Sequence, residues 1–147
     1  MPRRNSRNEP EDRRGSLDRL KDELGLRGTG RKPMRGEIWF TDLGRRGQHV
    51  QEGIRPAVII SANAGIARVV PITSNTGHGW MREHVIIEEQ DIEDLQPLEP
   101  FSTGVALAEQ VTTVADDAFR SYVGRVSWES RKMLDIGQAL KGILCIR

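Results

Sequence analysis

The stretch RPAVIIS, residues 55–61, is apolar and β-branched almost without interruption, and it is bounded by Pro56 and Asn63. A helix needs ten or more residues with apolar positions three and four apart, so a continuous run this short predicts a deeply buried strand. The pattern recurs along the chain. GEIWFTDL (36–43), ARVVPITS (67–74), EHVIIE (83–88), GVALAEQVTTV (104–114) and SYVGRVS (121–127) all read as strands. Pro71 inside the second of these points to an edge position or a bulge, because proline donates nothing to a ladder. GVALAEQVTTV reads as one long strand with room for a bend, and QDIEDLQPLEPFST (90–103) reads as an acidic, proline-containing loop. The end reads as a helix. Ser127 is placed to cap it, and Met133, Ile136, Leu140 and Ile143 fall on one face, with Leu144 beside them. Gly137 and Gly142 either weaken this helix or allow close packing. Short strands followed by a single helix predict a mainly β fold, a small antiparallel barrel with a helix on it.

With 147 residues the chain has room for one compact domain. No run approaches the roughly 18–20 apolar residues of a membrane span, and no apolar h-region opens the sequence. The expected compartment is the cytoplasm, with no membrane partner. A single cysteine, Cys145, and three scattered histidines make a poor metal set, so no metal and no cofactor is expected.

Charge divides the chain more sharply than composition does. Residues 1–35 carry a formal charge of +5, and the rest carries −4. Residues 1–15 are polar and Arg-rich, which predicts a disordered leader. SLDRLKDELGL then offers Ser16 as an N-cap, Leu17, Leu20 and Leu24 at helical spacing, and Gly25 as a C-cap. The organisation is therefore a basic extension over 1–33, with a short helix near 16–25, and a barrel domain over 34–147.

Phosphate-binding glycine loops, G-x-S-x-G, H-E-x-x-H and C-x-x-C are all absent from the sequence. That argues against nucleotide-dependent enzymes and the familiar hydrolases. What remains is polar groups at strand ends. Arg55 opens one apolar strand, and Thr73, Ser74 and Asn75 close the next. If those strands pair antiparallel through a turn near residues 63–67, Arg55 lies beside Thr73. His49 precedes Arg55 by six residues in a glycine-flanked loop. Glu109 and Gln110 sit within an apolar stretch, where a buried carboxylate needs a partner, and Arg55 is the candidate. Each residue also has a plainer reading. Arg55 caps the sheet or pairs with Glu109, while Thr73, Ser74 and Asn75 are turn residues. His49 belongs to a surface loop, and His78 and His84 are structural or surface groups. Trp39 reads as core, Trp128 as a contact at the helix entry, and Trp80 as a loop aromatic able to stack on a base.

The segments MRGEIWFTDL, QEGIRPAVIIS, VVPITSN, GVALAEQVTTV and VGRVS, followed by the final helix, resemble the MazF/PemK (Kid-like) family of toxin endoribonucleases over residues 34–144. The resemblance implies an SH3-like β-barrel with a C-terminal helix, working as a homodimer. It implies metal-independent, sequence-specific cleavage of single-stranded RNA, usually mRNA. It also implies a cognate antitoxin protein whose tail fills the RNA groove, and DNA binding together with that antitoxin. The family's catalytic arginine falls on Arg55 and its threonine on Thr73. A Kid-like histidine falls on His49, and an acidic residue falls on Glu109. Gln51, Ser74, Asn75 and Gln110 fall where RNA would be bound. Two positions depart from the pattern: Val50 stands where a glutamate is common, and Leu107 where Kid-like members carry a second arginine. The related CcdB toxins share the barrel and poison gyrase instead, so a non-enzymatic toxin or a plain SH3-like binding module is the alternative.

In the implied reaction the RNA 2′-hydroxyl attacks its own phosphate. Arg55 suits the charge of the phosphorane, since a guanidinium forks onto phosphate oxygens. A guanidinium with a reference pKa above about 12 is a poor proton donor near neutrality, so electrostatic stabilisation is its expected task. Thr73 would donate a hydrogen bond to the same phosphate. His49, with a reference pKa of about 6.5 for its type, is the expected acid or base. Glu109 is the base or orients Arg55.

Overall fold

The computed structural model describes residues 32–47, 50–75, 81–97 and 101–145. The basic leader, its expected helix near 16–25, His49, His78 and Trp80 lie outside the described residues. Strands β1 (Glu37–Asp42), β2 (Ile54–Asn63), β3 (Ile66–Thr73), β4 (His84–Glu88), β5 (Ile92–Glu93), β6 (Thr103–Leu107), β7 (Thr112–Ala115) and β8 (Phe119–Val126) precede the helix α1 (Lys132–Leu144). Every strand pair is antiparallel. The strands are ordered β4-β6-β3-β2-β1-β8-β5, with β7 on the flank of β3.

The continuous apolar runs of β2 and β3 have a direct cause. Side chains alternate between faces with a period of two, and here both faces are covered. Val58, Val70 and Ile72 point into one cluster with Ile38, Ile87, Val123 and the α1 residues Met133 and Ile136. Ala57, Ile59, Val69 and Ala67 point into a second cluster with Trp39, Leu43 and Tyr122. Trp39 is core, as expected. It meets Phe119 and Tyr122 edge-on, with centroids 5.8 and 5.6 Å away. Its indole Nε1 donates to Glu37 Oε1 at 3.1 Å, and the Met34 amide donates to the same oxygen at 2.8 Å. Those donors allow the Glu37 carboxylate to be fully buried, which without partners would cost several kcal/mol.

Four expectations are corrected. GVALAEQVTTV is not one strand: it breaks after Leu107 into a tight turn, Ala108–Gln110, before β7 resumes. Pro71 is neither edge nor bulge. It is buried in β3, at the changeover where that strand stops pairing with β7 at Val69 and starts pairing with β6 at Ile72. No rung is needed there on that side, so the missing N–H is tolerated. Residues 90–103 are not all loop, because Ile92 and Glu93 form β5 against β8. Finally, Ser127 caps a preceding turn, Trp128–Ser130, rather than α1. Its Oγ accepts from the Glu129 amide at 3.2 Å, and Arg131 enters the helix with φ +63°. That detour turns Trp128 outward, 74% exposed, so it makes no packed helix-entry contact.

Helix α1 buries Met133 and Ile136 and leaves Leu134 and Leu144 exposed. Gly137 and Gly142 bring nothing close: a Cβ at either would meet no atom within 4 Å. Of the two readings of these glycines, the weakening one holds. Gly137→Ala is therefore expected to stabilise the fold by about 0.5–1 kcal/mol, through helix propensity alone. Chemical denaturation checks this, and a destabilised variant would mean that the glycine serves a contact outside this chain.

Candidate functional site

The β2–β3 hairpin sets the geometry. Its turn is Ala64–Gly65, with φ of +54° and +84°. Two successive positive values form the tight connection that follows the twist of a hairpin. The turn sets the rungs Asn63↔Ile66 to Ser61↔Arg68; a one-residue shift between Ile59 and Ser61 then sets Val58↔Val70 and Ala57↔Pro71. Pairing ends there, and Arg55 and Thr73 each lie two residues further on, at the same end of the hairpin; Thr73 itself pairs with Val105 of β6. Arg55 pairs with Thr41 of β1.

Arg55 is exposed, and its Nε donates to the Glu52 carbonyl at 3.0 Å. This tether holds the guanidinium at the strand end and leaves both terminal nitrogens without an acceptor among the described residues. Thr73 is half-buried, and its Oγ1 accepts from the Asn75 amide at 3.2 Å. The contact is a turn of the kind expected for these residues, yet the hydroxyl hydrogen stays free to donate. Ser74 and Asn75 are exposed beyond it. Arg55, Ile72, Ser74, Phe101, Thr103 and Gly104 line a hollow of about 240 Å³. Glycine is required at 104, where a Cβ would run into Ile72.

The loop between β1 and β2 is organised around Glu52. Its Oε2 accepts from the amides of Arg46 at 2.8 Å and Gly47 at 3.1 Å. These donors, that of Arg46 first, hold the Glu52 carboxyl below its ordinary range, and the charge of Arg55 adds to them. Next to it, the Gln51 amide donates to Gln110 Oε1 at 2.6 Å, tying the loop to the Ala108–Gln110 turn. Gln51 Oε1 is buried and meets no donor among the described residues.

The expected pairing of Arg55 with Glu109 is overturned. Glu109 Oε2 lies 2.8 Å from His84 Nε2. In the sheet order β6 lies between β4 and β3, with β2 one strand further on, so the partner comes from β4. Of the two readings of His84, structural or surface, the structural one fits: its side chain is 3% exposed. It opens β4 and pairs with Leu107, two residues before Glu109. The structure thus brings Arg55 and Ser74 to one hollow, with Thr73 at the same hairpin end but outside its lining. It joins Gln51 to Gln110 and Glu109 to His84, while His49 lies outside the described residues. Among the described residues, no group of three or more His, Cys, Asp or Glu side chains is placed to hold a metal ion, and no helix is long and apolar enough to cross a membrane.

A family model described as PemK-like, MazF-like toxin of type II toxin–antitoxin system matches residues 34–144. By sequence, no curated protein matches the chain. Among solved structures, MazF from Deinococcus radiodurans is similar with TM-score 0.60 at 19% identity, covering 78% of this chain and 98% of its own. A mycobacterial endoribonuclease in complex with its cognate antitoxin is similar with TM-score 0.56 at 23% identity, covering 78% and 97%. A further mycobacterial endoribonuclease gives TM-score 0.54 at 22% identity over 79% and 94%. At these identities the likeness is one of fold, an antiparallel β-barrel with a single C-terminal helix.

The Glu52 contacts carry a pH signature. A folded value below the ordinary one stabilises the loop above the ordinary carboxylate range, and that contribution is lost as pH falls through the lower folded value. A ¹³C NMR titration should place the Glu52 carboxyl midpoint below 4.5, with the Arg46 and Gly47 amide shifts following it. Amides that stay fixed across that midpoint would show that Glu52 does not hold the loop.

Proposed function

Because the chain belongs to the PemK-like, MazF-like family of type II toxin–antitoxin toxins, we propose that it is an endoribonuclease that cuts single-stranded RNA at short sequence motifs. The observation that supports the reading is that Arg55 and Thr73 lie at one end of the β2–β3 hairpin, each two residues past the Ala57↔Pro71 rung. A guanidinium that among the described residues is tethered only through Nε keeps its two terminal NH2 groups for a phosphate. The threonine hydroxyl adds a donor from the neighbouring strand. A binding module has no need to converge those two groups at an open strand end.

In the proposed reaction the ribose 2′-oxygen forms a bond to phosphorus as the bond from phosphorus to the 5′-oxygen breaks. The products are a 2′,3′-cyclic phosphate and a 5′-hydroxyl. The proton of the 2′-hydroxyl passes to a base, and a proton is delivered to the departing 5′-oxygen. Glu109 and His49 are the groups proposed for these transfers. Arg55 and Thr73 stabilise the dianionic phosphorane between them, and no metal takes part. Gln51, Ser74, Asn75 and Gln110 are proposed to line the path of the RNA. Family membership also supports a homodimeric working form and a cognate antitoxin that blocks the site.

Purified protein, freed of antitoxin and incubated with a long single-stranded RNA in EDTA, should give a restricted set of cuts ending in cyclic phosphate. Arg55→Ala should lower the rate by about 10²–10³-fold, the loss typical of a preorganised electrostatic group, while unfolding stays cooperative. Intact RNA with the unmodified protein would overturn the nuclease reading.

A further inference from the structure

One buried titratable group takes no part in the proposed reaction. His84 opens β4 with its side chain 3% exposed, and its Nε2 lies 2.8 Å from Glu109 Oε2. Glu109 itself is 36% exposed on its side chain. A carboxylate at such a position normally keeps its rotamer freedom, and freezing a glutamate costs side-chain entropy. Here an immobile imidazole holds one oxygen, while the other meets no donor among the described residues.

The turn that carries Glu109 is tied at two further points. The Ala108 amide donates to the Glu83 carbonyl at 3.0 Å, fastening the turn to the residue before His84. Gln110 Oε1 receives the Gln51 amide at 2.6 Å, and Gln51 begins the segment that leads through Glu52 to Arg55. A continuous chain of contacts therefore runs from β4 through the turn to the loop that tethers the guanidinium.

We propose that His84 is a positioning residue of the nuclease site: it fixes the Glu109 carboxylate and, through the 108–110 turn and Gln110, the Gln51–Glu52 loop behind Arg55. This rests on the nuclease reading above. His84 touches no RNA in this account. It acts through Glu109, and what the interaction requires is a donor at the Nε2 position. The charged groups facing the same side of His84 are Arg82 and Glu83 beside it and Lys132 and Asp135 of α1, which line a groove of about 640 Å³ with it.

The test compares His84→Phe, which keeps the ring and removes the donor, with His84→Gln, whose side-chain amide N–H reaches nearly the same point. Two quantities are read on the full chain: hydrogen exchange at the Gln51 amide, and kcat and KM for RNA cleavage. H84F should speed Gln51 exchange about threefold to tenfold, the factor of one lost hydrogen bond. It should lower kcat about tenfold to a hundredfold with little change in KM, as expected for a displaced catalytic group. H84Q should restore both. Wild-type exchange and kcat in H84F would overturn the proposal, as would an H84Q as impaired as H84F, which would assign His84 to packing alone. If H84F loses the cooperative fold, Glu109→Ala cuts the same contact from its exposed end, and the Gln51 amide reads the result. If the unmodified protein leaves RNA intact, the nuclease reading fails, while Gln51 exchange still decides whether His84 holds the loop.

Discussion

The pairing of β2 with β3 is the constraint on which the rest of this structure depends. Both strands carry apolar side chains on both faces, so both faces must be covered. At about 25 cal/mol per Å² of apolar surface removed from water, leaving either face exposed would forfeit several kcal/mol. One face is closed by β4, β6 and α1, and the other by Trp39 and Leu43 with Tyr122 of β8. With both faces apolar, burial alone does not set the register, because a slip of one residue exchanges one greasy face for the other. The Ala64–Gly65 turn sets the first rungs, and a one-residue shift between Ile59 and Ser61 sets the rest. The geometry at Arg55 and Thr73 thus depends on that shift as well as on the turn at the opposite end of the hairpin.

Arg55 then has two competing uses. Its bond to the Glu52 carbonyl is exposed, and such a contact contributes on the order of 1 kcal/mol or less. A phosphate held against the same guanidinium inside a preorganised site gains several times that in the transition state. The weaker contact therefore orients the group without consuming it. Glu52 adds to this through a different set of atoms. Its carboxylate is engaged by the Arg46 and Gly47 amides, and its carbonyl by Arg55, so one residue fixes both the loop and the arginine.

What was legible in the sequence was what local rules dictate. β1 to β4, β8 and the terminal helix follow from apolar pattern and turn punctuation within each segment. That Arg55 and Thr73 come to the same hairpin end was legible because antiparallel pairing brings them there, although the one-residue shift between Ile59 and Ser61 was not. β5 was not, since two residues pairing with a strand 32 positions away leave no periodic mark. The break between β6 and β7 was hidden because Ala108 and Val111 keep the stretch apolar across the turn. The partner of Glu109 was misread for a topological reason. Which strands flank β6 is decided by the order of the whole sheet, and that order places His84 beside Glu109 and leaves Arg55 beyond β3.

The two positions that the resemblance marks as departures can be read against this arrangement. At Leu107 the resemblance would imply an arginine. The leucine is 4% exposed, at the end of β6, and its register partner is His84. A guanidinium at that site would have to be desolvated, at a cost of several kcal/mol, unless paired within the barrel. Leucine removes that cost and gives up a donor next to Glu109. The donor is instead supplied across the strand pair by His84 Nε2 at 2.8 Å. Val50, the other departure, is half-buried in the loop that Glu52 organises two residues later. At both places a neighbouring side chain supplies the polar contact: His84 meets Glu109, and Glu52 holds the Arg46 and Gly47 amides.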